Sequence, residues 1–226
     1  MINMSEFEEQ KNIVLQGAKK FFKEGLTVGP SGNVSLRTSK QATSMAITRS
    51  GKNYEEMTTD DVNIVDFSSE DNKIKVLEGN FTPSSESILH SMIYKNRKNI
   101  NAVVHYHGPF STAVGVVAES IPPMVDDQVF FLGGEIGVTS EYAVSGSIEM
   151  ANQVIPALGK KNAVIIRNHG AIGIGKNMEY ALEACHYLEK AAQIYIWASC
   201  LGGKLKLMNE EAIKYGLNVF NAMRGG

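Results

Sequence analysis

The sequence predicts a single α/β domain in which helices cover a largely antiparallel sheet. Segments with helical spacing of apolar residues alternate with short β-rich runs, and several of those runs come in pairs joined by tight turns. No internal repeat, low-complexity tract or long linker divides the 226 residues, so residues 1–226 read as one unit. At 43% hydrophobic content the chain can bury a sizeable core.

Residues 5–25 place Phe7, Ile13, Val14, Ala18, Phe21 and Phe22 on one face and end at Gly25, an opening amphipathic helix. The turn cluster at 29–33 leads into runs at 34–37 and 44–48 that read as paired strands, closed by a second turn at 49–52. Strand-like pieces follow at 59–68 and 73–78. Thr82 and Pro83 then predict a helix start, with Thr82 as N-cap and proline at the first helical position. Residues 101–107 form a β-rich run ending at Gly108 and Pro109, and the runs at 163–167 and 171–175 flank Asn168, His169 and Gly170 as two strands and a turn. The longest helical pattern is 177–198. A last helix is predicted over 209–223, opened by Asn209 and two acids.

Charge narrows the partners. The formal net charge is −2, with 22 basic and 24 acidic residues mixed along the chain, which offers no cationic patch for nucleic acid or anionic lipid. Residues 1–10 are acidic and polar, and no run approaches about 18 apolar residues, so a soluble, unexported protein is expected. Cys185 and Cys200 fall on one predicted helix, about four turns apart, where they cannot easily bridge; both read as small core residues. With no disulfide framework or cysteine cluster, a reducing compartment such as the cytoplasm is expected, and a metal site must use histidines and carboxylates.

His105 and His107, two apart on a predicted strand, project to the same side about 6 to 7 Å apart along it, close enough for one cation. The pair alone is a weak signal. His90 and His186 fall inside helices and read as core or surface residues, whereas His169 sits at a strand-to-strand turn beside Gly170, where function is commonly carried. Three neutral imidazoles leave a tetrahedral site with one open position, the arrangement of catalytic zinc. Glu86 lies near a helix start, where N–H groups and the helix dipole favour an anion.

In order and at matching spacings, Gly32-Asn33-Val34-Ser35, Thr48-Arg49-Ser50-Gly51, Pro83-Ser84-Ser85-Glu86, His105-Tyr106-His107 and Asn168-His169-Gly170 resemble the class II aldolase/adducin family over nearly the whole chain. Within the family the chain is most similar to aldolases of the L-fuculose 1-phosphate type. Lys214-Tyr215-Gly216-Leu217 matches their tyrosine-bearing tail, and the metal-side acid is Glu86 where the related pentulose-phosphate epimerases have aspartate. The resemblance implies a three-layer αβα fold. It makes His105, His107 and His169 zinc ligands (Mn2+, Co2+ or Fe2+ being the alternatives), with Glu86 a fourth ligand that turns proton carrier when substrate displaces it. It implies a substrate-phosphate pocket of Gly32, Asn33, Ser50, Gly51, Ser84 and Ser85, a type of donor set that suits an anion. It also implies a homotetramer with sites at subunit interfaces, Tyr215 reaching into a neighbour's site. Two positions depart from the pattern: Asp126 stands where the fucose-type aldolases carry a second tyrosine, and Arg49 replaces a proline of the phosphate loop.

The activity implied is reversible retro-aldol cleavage of a phosphorylated ketose to dihydroxyacetone phosphate and an aldehyde, with Glu86 and either Asp126 or Tyr215 moving protons. The alternatives within the family are 4-epimerisation of a pentulose phosphate, decarboxylation of a sugar-acid phosphate and dehydration of a methylthioribulose-type phosphate. Outside enzymes, the alternative is a scaffold domain that has lost its metal ligands, which the complete set of three histidines and Glu86 argues against.

Overall fold

The computed structural model describes residues 7–38 and 43–224; Ser5, in the expected first helix, lies outside them. In chain order the main elements are α1 (Glu8–Lys23), β1 (Asn33–Arg37), β2 (Ser44–Thr48), β3 (Val62–Asp66), β4 (Lys75–Glu78), α2 (Ser87–Asn96), β5 (Ala102–Tyr106), α3 (Pro109–Val117), β6 (Ser120–Ile121), β7 (Ile136–Gly137), α4 (Ile148–Leu158), β8 (Ala163–Ile166), β9 (Gly170–Gly175), α5 (Met178–Cys200) and α6 (Glu210–Arg224). Among the described residues seven strands form one sheet in the order β4-β3-β2-β1-β5-β9-β8, every neighbouring pair antiparallel, and β6 and β7 form a small separate ladder.

The sheet is the middle of three layers, and the alternation of side chains along its strands builds two cores. Val104, Tyr106 and Ile165 face one side with Val14 and Phe21 of α1, Val114 of α3 and Leu188 of α5. Val103, Val164 and Ile166 face the other with Leu89 and Ile93 of α2 and Val154 of α4. Covering both faces explains why β8 reads as an unbroken apolar run rather than an alternating one. The expected α/β class, the largely antiparallel sheet and the three layers are all present.

Local signals set most element ends. Asn177 caps α5 by accepting the Tyr180 N–H (3.0 Å), and Asn209 accepts the Ala212 N–H (2.8 Å) at the start of α6. At the β8–β9 turn Asn168 adopts φ 54°, a left-handed conformation that asparagine tolerates.

The predicted start of α2 needs correction. Pro83 forms a bridge with Arg49, the Ser50 N–H donates to the Thr82 carbonyl (3.1 Å) and the Ser84 N–H donates to the Thr48 carbonyl (3.1 Å). Residues 82–85 are thus an arm stapled to the end of β2, Thr82 caps nothing, and the helix begins at Ser87 with Glu86 in the capping position. Proline suits an extended edge as well as a first helical turn, so the sequence signal was ambiguous. Residues 59–61 are likewise a short 3-10 turn before β3 rather than strand. Helices α3 and α4 went unassigned: the β-branched Val114, Val116 and Val117 are poor helix formers, and Pro156 interrupts the helical pattern of α4. Cys185 is buried as expected, but Cys200 is exposed, because α5 runs on beyond its packed portion.

Candidate active site

Three elements meet at the end of β5. His105 is the next-to-last residue of the strand, His107 lies just past its end, and His169 sits in the β8–β9 turn beside it. The Nε2 atom of His105 is 3.0 Å from that of His107 and 3.1 Å from that of His169. Four donors held 2.0 to 2.1 Å from one centre stand about 3.4 Å apart, so this spacing fits a single first-row metal ion. Tautomers agree with that fit. The carbonyl of Ala171 can only accept, so His105 Nδ1 (3.0 Å away) carries the hydrogen, which leaves Nε2 as the nitrogen that can ligate. Burial and the adjacent imidazoles push His107 down to about 4 and lower His169 as well, which keeps both rings neutral and able to ligate near neutral pH. The three histidines can therefore hold a metal ion.

Glycine makes this convergence possible. A Cβ at Gly170 would stand 2.5 Å from the Tyr106 carbonyl oxygen and 2.8 Å from the His107 ring, so only glycine lets β9 approach the histidine strand.

Glu86 is 2% exposed and faces the trio, with Oε2 3.1 Å from His105 Nε2 and Oε1 3.4 Å from His169 Nε2. The Asn33 amide donates to Oε2 and the Ser145 hydroxyl to Oε1, each at 2.8 Å. Burial alone would raise the carboxyl, but His105, these two donors and His169 overcome it and hold Glu86 down at about 2. Ser145 was missed by the sequence reading. The available signal was the Ser145-Gly146 turn before α4: Gly146 has φ 75°, and a Cβ there would meet the Ser85 carbonyl oxygen at 2.7 Å, so the loop is pinned against the Ser84-Ser85 arm.

Beside the histidines opens a cavity of about 170 Å³ lined by Gly32, Asn33, Ser50, Gly51, Ser84, Ser85, Glu86 and Ser145. All six residues expected around a phosphate are therefore together, on the same cavity as the metal trio. Arg49 also lines it and is not a loose surface side chain: its Nη1 lies 3.2 Å from Asp61 Oδ1 and its guanidinium carbon 3.7 Å from the Phe81 ring centre. Asp126 and Tyr215 are not among the residues lining this cavity. Asp126 is exposed next to Asp127, which pairs with Lys190, and Tyr215 is 65% exposed on α6 with its ring edge toward Phe130. His186 pairs with Glu24 at 2.8 Å on the surface, whereas His90 is fully buried.

A family model described as Class II Aldolase and Adducin N-terminal domain matches residues 12–196. The chain is 31% identical over 207 residues to the 5-deoxy-D-ribulose 1-phosphate aldolase of Bacillus thuringiensis serovar kurstaki, covering 92% of each protein. It is 32% identical over 196 residues to the L-fuculose phosphate aldolase of Escherichia coli K12, covering 87% of this chain and 86% of that one. Its fold is similar to a solved L-fuculose 1-phosphate aldolase, with TM-score 0.86, 28% identity, and 94% and 96% of the two chains covered. A complete metal trio on this fold, matched over most of the chain, leads to one assignment: the chain belongs to the class II aldolase and adducin family, on its enzymatic, lyase side.

Proposed function

We propose that the chain is a metal-dependent aldolase that reversibly cleaves a phosphorylated ketose, such as L-fuculose 1-phosphate, to dihydroxyacetone phosphate and an aldehyde. One observation carries the reading: a cavity lined by Ser50, Gly51, Ser84 and Ser85 opens directly onto the three imidazoles and Glu86. A phosphate on those hydroxyl and N–H donors sets the carbonyl end of a short sugar against the metal-binding side. Two relatives, by their names, act on ketose phosphates of this kind.

His105, His107 and His169 would hold the ion, which we take to be zinc, with manganese, cobalt or iron also suited to this donor set. When bound, such an ion supplies Lewis-acid stabilisation of the negative charge that develops as the carbon–carbon bond breaks. In the synthetic direction the ionised Glu86 removes a proton from the carbon that forms the new bond; in the cleavage direction Glu86, having taken up a proton from solvent, returns it to that carbon. Asn33 and Ser145 aim its two oxygens. Asp126 and Tyr215 lie outside the cavity of their own chain, so we assign them to the aldehyde side of a neighbouring chain's site in a homotetramer, in a cytoplasmic enzyme.

Arg49 favours one second reading, because a guanidinium beside the phosphate donors suits a substrate that also carries a carboxylate. Decarboxylation of a sugar-acid phosphate would then be the reaction. Epimerisation of a pentulose phosphate uses the same core.

The purified, metal-loaded protein should release triose phosphate from L-fuculose 1-phosphate or 5-deoxy-D-ribulose 1-phosphate, and H105A should lose both bound metal and turnover. Conversion of L-ribulose 5-phosphate without triose phosphate, or carbon dioxide release from a sugar-acid phosphate, would replace the aldolase reading. Mixing E86Q with Y215F, each reduced to a small residual activity alone, should restore part of the activity if Tyr215 serves a neighbour.

A further inference from the structure

His90 takes no part in the chemistry above, yet it is fully buried one helical turn after Glu86, and its backbone N–H donates to the Glu86 carbonyl at 3.2 Å. Its Nδ1 lies 2.7 Å from the Ser35 hydroxyl, which lies 2.8 Å from the Tyr94 hydroxyl, which in turn donates to the Asn101 carbonyl at 3.2 Å. Its Nε2 is buried with no hydrogen-bond partner among the described residues.

The direction of this chain follows from its two ends. The Asn101 carbonyl can only accept, so Tyr94 spends its hydrogen there and accepts from Ser35, and Ser35 accepts from His90 Nδ1–H. The opposite direction would leave an N–H at Nε2 buried and unpaired, which is rarer and costlier than a bare acceptor. The ring is thus the Nδ1–H tautomer.

The placement of the partners matches two periodicities. Asn33 and Ser35 are two apart on β1 and share a face; Glu86 and His90 are four apart on one side of α2. Of the hydrogen bonds that join strand to helix, two lie at the Glu86 end, Asn33 to Glu86 at 2.8 Å and Ser35 to His90 at 2.7 Å, while Ser35 to Tyr94 and Arg37 to the Tyr94 carbonyl, each at 2.8 Å, lie further along. Asn33 is also the β-ladder partner of His105, so the first of these bonds ends at the metal trio.

We propose that His90, locked as the Nδ1–H tautomer by Ser35 and Tyr94, is a positioning residue that fixes the rotation of α2 on β1 and so aims the Glu86 carboxylate at the three imidazoles. This rests on the reading of Glu86 as the proton carrier. The Asn33 bond holds Glu86 itself, and the Ser35–His90 bond is the strand contact one turn along, nearest to the carboxylate, so it sets the local rotation of the helix start. Asparagine can replace the Nδ1–H donor with its amide, and leucine cannot.

The test compares H90L, H90N and S35A in the full-length protein. H90L and S35A should lower kcat about 10-fold or more with KM little changed, and H90N should recover to within about threefold of the parent. In the E86Q background H90L should cost nothing further. An activity-independent readout comes from the cobalt-loaded protein, whose visible spectrum should change in H90L and S35A but not in H90N. Long-range 15N–1H spectra of histidine-labelled, metal-free protein should show His90 protonated at Nδ1 and bare at Nε2. The proposal is overturned if H90L keeps parental kcat and cobalt spectrum, if H90L costs as much in E86Q as in the parent, or if Nε2 carries the hydrogen. Undiminished turnover by E86Q alone would instead remove the proton-carrier reading, leaving the cobalt and 15N measurements to judge how His90 places the carboxylate. Should H90L fail to fold, S35A, which deletes one oxygen, carries the same comparison.

Discussion

Arg49 is the residue at which this site departs most from a wall of neutral donors. Its guanidinium is held between Asp61 and Phe81 while the side chain lines the same cavity as Ser50 and Ser84. A charge-assisted hydrogen bond contributes about 1.5 to 3 kcal/mol, whereas a partly exposed ion pair such as Arg49 with Asp61 contributes about 0 to 1 kcal/mol. Binding, not folding, should therefore register its loss. R49Q is expected to raise KM for a phosphorylated substrate about 10-fold, with kcat within about twofold and melting temperature nearly unchanged. Steady-state kinetics with a thermal melt decide it: an unchanged KM would reduce Arg49 to a brace for Asp61 and Phe81.

At the level of elements, the metal trio depends on how closely β9 and its turn lie against β5. The Gly170 position has no room for a methyl group, since the nearest obstacles are the Tyr106 carbonyl and both strand histidines. Overpacking of this kind costs about 1 to 3 kcal/mol, and here the strain falls on the ligands. G170A should lower bound metal measured by atomic emission and drop the melting temperature by several degrees. G203A, in open space, should do neither. Metal retained at parental stoichiometry in G170A would show that the strands can separate without moving the histidines.

For the whole molecule, buried imidazoles set the acid side of the stability curve. His90, pushed down to about 3 by burial against Glu86's opposing charge, binds a proton in the unfolded chain below about 6.5 but not in the folded one. The unfolded state then holds more protons, so stability falls as pH drops through that window, by on the order of 1 kcal/mol per pH unit for this group. His107, lowered to about 4, acts in the same sense. Glu86 adds a contribution present above about 4.5 and lost as pH falls toward about 2. Urea unfolding of chelator-treated protein should therefore weaken steadily from pH 6.5 to 4.5, and H90N should lessen the slope. A flat profile over that range would contradict the burial of these rings. Metal should oppose the loss, because it binds only the folded, deprotonated trio.

The division between sequence and tertiary structure follows the range of the forces involved. Short-range signals were legible: the turn at Asn168, the start of α5 near Asn177, the cap at Asn209, the two-residue spacing of His105 and His107, and the sheet's apolar runs each depend on a few neighbours in the chain. The three histidines could be named from the spacing of His105 and His107 and the turn at His169, and the six other residues that line their cavity from motifs that resemble a known family in register. Contacts between distant segments could not be read this way. That Pro83 would pair with Arg49 instead of starting a helix, that Ser145 would donate to Glu86, and that His90 would sit behind it on a rung to Ser35 depend on which faces the sheet brings together. Strand and helix periods dictate which side chains share a face, but only packing of α2 on β1 decides which two faces meet.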